Sequence, residues 1–188
     1  MHLATTPEAN ALLESSPLAL LIGMLLDQQI PMEKAFTSPW VLAERLGGTL
    51  DAQVIAAFDP DAFEQVFRQP PALHRFPAAM AKRVQELARI LVERFGGDAA
   101  TVWTAAATGS ELVTRVSQLP GFGEQKAKIF TALLGKQFGV QPPGWREASG
   151  DYGAKGSSRS VADVVDAPSL AAVRSFKKEM KAAAKAAG

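Results

Sequence analysis

Cysteine is missing from all 188 residues, and histidine occurs only at His2 and His74. The first absence excludes disulfides, thiolate zinc sites, a cysteine-held iron–sulfur cluster and a cysteine nucleophile. The second leaves too few imidazoles for a histidine-rich metal centre. No apolar run approaches the ~20 residues of a membrane-crossing helix, the strongest being Leu18 to Leu26. No basic stretch precedes an apolar one near Met1, so the pattern of a secretory signal is missing too. Sustained alternation with β-branched enrichment is found nowhere, which removes the signal for strands. These absences lead us to expect a cytoplasmic all-α protein without cofactor, metal or membrane association. With 47% apolar residues the chain has enough material for a core.

The net charge of +1 conceals an asymmetry. Residues 1–118 hold 9 Lys/Arg against 13 Asp/Glu, and residues 119–188 hold 11 against 6. A polyanionic partner would account for a basic C-terminal part; so would ordinary scatter of surface charge.

The apolar period is helical almost throughout. Ser16 as cap and Pro17 at the first helical position open a segment with Leu18, Leu21, Ile22, Leu25 and Leu26 on a wide stripe. Ser38-Pro39 repeats that start signal for a helix from Trp40 to Leu46, stopped by Gly47-Gly48. Short helices are expected over Asp51 to Phe58 and Asp61 to Phe67. A long one runs from Pro77 to about Phe95, with Met80, Val84, Leu87, Ile90 and Leu91 on one face. Thr101 to Ala107, Ser110 to Gln118 and Glu124 to about Phe138 complete the set, the last burying Ile129, Phe130, Leu133 and Leu134. The expected organisation is a helical domain over residues 1–140, a Gly/Ser/Pro-rich loop over 141–168 and a basic helix over 169–188. In that last helix Val173, Phe176 and Met180 share one side, while Arg174, Lys177, Lys178, Lys181 and Lys185 share an arc. Those cations are either the solvated face of a docked helix or a surface for a polyanion.

Between two of these helices the chain reads Leu119-Pro120-Gly121-Phe122-Gly123-Glu124-Gln125-Lys126. Glycine permits positive φ and carries no Cβ to hold a ligand away. The helix beginning here directs free N–H groups and its positive dipole end into the turn. Such a helix–hairpin–helix turn can take an anion, above all a nucleic-acid phosphate, without reading sequence. Lys126 and Lys128 lie near the start of the helix. The alternative is a plain αα-corner closed by glycine.

Three blocks in order resemble the helix–hairpin–helix DNA glycosylase superfamily: Leu21 to Ile30, Arg75 to Gly97, and the hairpin with its helix to Phe138-Gly139. The resemblance covers residues 16–140. It implies a two-lobed helical fold, binding of double-stranded DNA, and flipping of a damaged or mispaired base whose N-glycosidic bond is then cut. It assigns DNA contacts to Gly121, Phe122, Gly123, Gln125 and Lys126. Gln29, with Gln28 beside it, takes the place of the side chain that fills the gap left by the flipped base; a Gln pair can also simply close its helix. A monomer is expected, since nothing calls for an oligomer.

The sequence departs from that family in two places. The catalytic Asp slot falls near Pro143 to Trp145, where there is no carboxylate. Glu147 and Asp151 follow and are the candidate catalytic groups, although Glu147 could instead pair with Arg146 or the basic tail. Trp145 and Tyr152 could stack on bases, with core packing the alternative for Trp145. The lysine that strand-cleaving members use for a Schiff base is replaced by Gln125, which implies base removal that leaves an abasic site. The competing expectations are a non-catalytic DNA-binding module and an interaction protein in which the hairpin is only a corner.

Overall fold

The structure, a computed structural model, describes residues 1–186. It is all-α, with no strand among the described residues. In chain order the helices are α1 (Pro7–Ser15), α2 (Pro17–Leu26), α3 (Met32–Arg45), α4 (Ala52–Ala57), α5 (Pro60–Arg68), α6 (Pro77–Phe95), α7 (Thr101–Thr104), α8 (Gly109–Ser117), α9 (Glu124–Gln137), α10 (Trp145–Ala148) and α11 (Ala167–Ala186). Two 3-10 turns, Gly150–Gly153 and Val161–Asp163, lie between α10 and α11. No single helix among the described residues is long and apolar enough to cross a membrane.

The chain divides into two compact units. The larger holds residues 3–105 and 118–123. It is organised around α2, which starts as its sequence requires: Ser16 accepts from the Ala19 N–H at 3.2 Å, and Pro17 needs no donor in the first turn. Every residue from Leu18 to Leu26 is buried. A helix apolar on all sides belongs at the centre of a core, and α1 and α3 pack on it. Nearby, α4 and α5 pack on α6. There the buried Gln85 amide donates to the Ile55 and Phe58 carbonyls at the C-terminal end of the short α4.

The expected start at Ser38-Pro39 is not a start. α3 begins at Met32 and runs through Pro39. The Ser38 hydroxyl is turned back to the Lys34 carbonyl and across to that of Leu73, both at 2.8 Å, so it caps nothing. Pro39 takes one N–H out of the helix, and the helix continues because Met32, Ala35, Phe36, Pro39, Leu42 and Ala43 form one buried stripe.

The second unit holds residues 1–2, 106–117 and 124 onward. α8 packs on α9, and Trp145 fills the space beside both. A Cβ on Gly135 of α9 would overlap the Trp145 ring, and one on Gly109 would overlap the Trp145 backbone. The segment expected as loop therefore contains α10 and two 3-10 turns, tied down by burial and charge. Lys136 reaches the buried Asp163 carboxylate at 2.6 Å, which also accepts from Ser157 and from the Arg159 and Ser160 N–H groups. The Gln137 amide spans the Ala162 and Val164 carbonyls. α11 starts earlier than its expected 169, because Asp166 caps it by accepting from the Ser169 N–H at 2.8 Å. The expected extension of this helix to residues 187–188 lies outside the described residues.

Replacing Gly135 by Ala forces a methyl group into the Trp145 ring. The expected outcome is destabilisation by about 1–3 kcal/mol, read as a lowered urea midpoint, although alanine is the better helix former.

Candidate functional site

The glycine turn belongs to the larger unit and is anchored from beneath. Leu119 and Phe122 are both buried, and the Phe122 N–H donates to the Leu119 carbonyl at 3.0 Å. Phe122, grouped on sequence with the DNA contacts, is thus only 3% exposed, and its side chain holds the turn in place. The two glycines have different reasons to be glycine. Gly121 has φ of +80°, and a Cβ there would press on Leu25 Cγ at 3.2 Å. The turn itself demands Gly121. Gly123 is not in the left-handed region, and a Cβ there would meet no atom within 4 Å. The fold would accept a side chain at 123; what its bareness leaves open is close approach from outside.

Leu25 also borders the loop after α2. The Gln28 amide donates to the Leu25 carbonyl at 2.8 Å, and its oxygen accepts from Arg83 at 3.1 Å. Gln28 is therefore committed to holding the loop. Gln29 is exposed and has φ of 57°, a left-handed conformation uncommon for a residue with a side chain. Of the two glutamines, Gln29 is the one the loop presents.

Beneath the loop lies His74, 1% exposed. Its Nδ1 accepts from the Phe76 N–H at 3.0 Å, so Nε2 carries the proton and donates to the Gln28 carbonyl at 2.9 Å. Burial pushes its pKa below the ordinary histidine value. The backbone hydrogen bonds at Gln28 and Leu26 oppose that shift, and the charges of Lys34 and Arg75 add to it. Phe76 is 41% exposed, with the Arg75 guanidinium 4.9 Å from its ring centre. The sequence reading passed over both His74 and Phe76. The available signal was at Phe76, an aromatic in the N-cap position before Pro77, where a side-chain acceptor is preferred and none is present.

In the second unit, Gln125 in the first turn of α9 donates to the Tyr152 hydroxyl at 2.8 Å. Tyr152 lies on the first 3-10 turn, one residue after Asp151. Asp151 is well exposed, with Arg159 at 3.4 Å. Glu147 is also exposed, on α10. It is not paired with Arg146, whose guanidinium lies 4.3 Å over the Trp145 ring and donates to the Gly153 carbonyl. Trp145 is a core residue rather than a stacking surface. Lys126 is half-buried, and Lys128 is engaged with Glu124 at 2.6 Å.

The state of His74 gives the loop a pH dependence. Its folded pKa lies below the unfolded value of about 6.5, so its stabilising contribution is complete above that pH. It is lost as pH falls from there through the folded pKa. The urea midpoint of the protein should fall between pH 7.5 and 5.5, and the His74→Gln variant should show a flatter profile over the same interval.

Comparison with curated proteins and with solved structures found no match. A family model described as HhH-GPD superfamily base excision DNA repair protein matches residues 22–186, a span that contains the Gln28–Gln29 loop, the glycine turn, α9 and the Asp151 segment. The chain belongs to the HhH-GPD superfamily of base excision DNA repair proteins.

Proposed function

We propose that the protein is a monofunctional DNA glycosylase that hydrolyses the N-glycosidic bond of a damaged or mispaired base in double-stranded DNA, with Asp151 as its carboxylate. One observation carries the choice of Asp151. Gln125 occupies the position of the family's Schiff-base lysine, and it is hydrogen-bonded to Tyr152, the immediate neighbour of Asp151. Glu147 has no comparable tie.

In this reading the bare amides around Gly123 receive a backbone phosphate, with Gln125 and Lys126 following in sequence. Gln29 enters the space vacated by the flipped base, and Phe76 offers an aromatic face beside it. Asp151 stabilises the positive charge that develops at C1′ as the bond to the base lengthens, and orients a water. The water oxygen bonds to C1′, the base leaves with the bonding electron pair and gains a proton, and an abasic sugar remains. Gln125 offers no amine, so no strand cleavage follows. A second reading, a DNA-binding module without chemistry, is favoured by the Arg159 contact, which engages Asp151 already.

Incubation with duplexes bearing uracil, hypoxanthine, alkylated purines, 8-oxoguanine or a mismatch, followed by alkali, decides between the two. We expect release of one base, reduced about 10²–10⁴-fold by Asp151→Asn and retained by Glu147→Gln. Duplex binding without release from any substrate would favour the module. The phosphate contact is tested separately. Gly123→Leu should weaken duplex binding roughly tenfold or more, the worth of a charge-assisted hydrogen bond, without lowering the urea midpoint. Gly121→Leu should lower that midpoint as well.

A further inference from the structure

α11 is docked along only part of its length. Val173 is 2% exposed beside the second 3-10 turn, and Phe176 is half-buried with the Arg159 guanidinium 5.0 Å from its ring centre. From Lys177 to Ala186 every residue is exposed. Roughly 15 Å of helix, at 1.5 Å per residue, therefore extends with nothing packed on it among the described residues.

A short helix without packing depends on its own sequence. The alanines at 182–184 and 186 favour it. The charges oppose it. Arg174 and Lys178, Lys177 and Lys181, and Lys181 and Lys185 are all like-charge pairs four residues apart, each unfavourable in an isolated helix. The one carboxylate in this stretch, Glu179, accepts from the Ser175 hydroxyl at 3.0 Å. None of Lys177, Lys178, Lys181 and Lys185 takes part in an ion pair among the described residues. At 100° per residue these cations fall within about one third of the helix circumference, centred roughly 120° from Val173 and Phe176, and all four are exposed. Docking through the apolar residues thus turns the cations outward.

We propose that residues 177–186 form a duplex-binding arm, a second surface that contacts consecutive backbone phosphates, raises affinity and takes no part in base removal. The proposal rests on duplex DNA being what the protein acts on. A polyanion supplies what the helix lacks: it relieves the repulsion along the stripe and releases its own counterions. An anionic membrane is a poorer fit. A helix lying in a lipid interface needs a broad apolar face, and beyond the docked Val173 and Phe176 this one has only Met180, 52% exposed.

The test compares the full chain with a variant carrying Lys177→Gln, Lys178→Gln, Lys181→Gln and Lys185→Gln. Duplex affinity is measured by fluorescence anisotropy between 50 and 200 mM salt, base release at saturating duplex, and helix content by circular dichroism. Four lost phosphate contacts should reduce the slope of log affinity against log salt by roughly 3–4, with release at saturation unchanged. Duplex should raise the helix content of the full chain more than that of the variant. An unchanged slope overturns the arm. So does a variant that loses only binding to vesicles of phosphatidylserine and phosphatidylcholine, since the stripe would then serve a membrane. Failure of the full chain to bind duplex at all is a distinct result: it removes the DNA reading itself, and the arm with it.

Discussion

Burial of α2 on every side is the constraint on which the larger unit depends. Ten consecutive residues with nothing polar leave the chain no alternative but to wrap this segment. The consequence for function is at its C-terminal end. Leu25 limits how close Gly121 can come, and its carbonyl fixes the Gln28 amide. The glycine turn and the loop after α2 are thus referred to the same buried residue, and a rigid core residue is a better datum than another loop.

Around that datum, polar groups are satisfied in a way that separates presentation from support. His74 accepts from one backbone N–H and donates to one carbonyl, which requires the neutral imidazole, and burial favours that form. Gln28 is bonded at both ends of its amide. Gln29 and Phe76 are exposed, Phe76 with the guanidinium of the exposed Arg75 over its ring. The supporting residues are buried or bonded, and the two residues carried outward by them have large side chains.

The second unit depends on a different device. Trp145 occupies space that two glycines, Gly109 and Gly135, leave vacant, and the Lys136–Asp163 pair draws the following segment onto α9. A stretch rich in glycine, serine and proline becomes ordered without a long helix of its own. Its path determines where Asp151 is carried, and the Gln125–Tyr152 hydrogen bond joins that path to the start of α9. Asp151 itself lies within the first 3-10 turn, which the chain reaches directly after α10.

Helix class, most helix starts and the glycine turn could be read from the sequence because their causes are local. A cap, a proline in a first turn and an apolar period each act within a few residues, and Ser16-Pro17 and Pro77 behaved accordingly. The same Ser-Pro signal misled at residues 38–39. A distant carbonyl, Leu73, claims the serine hydroxyl, and a buried stripe outweighs the proline. The two glutamines were legible as a pair, but not which one is presented, since Arg83 and His74 reach Gln28 from far along the chain. Phe122 looked like a contact and proved to be an anchor, and Phe76 was overlooked, because exposure is a property of neighbours that a sequence does not show. What the sequence determined by itself was local: which segments coil, and where the backbone must be bare. Only the tertiary structure decided which side chains are held and which are offered, because that depends on contacts between residues tens of positions apart.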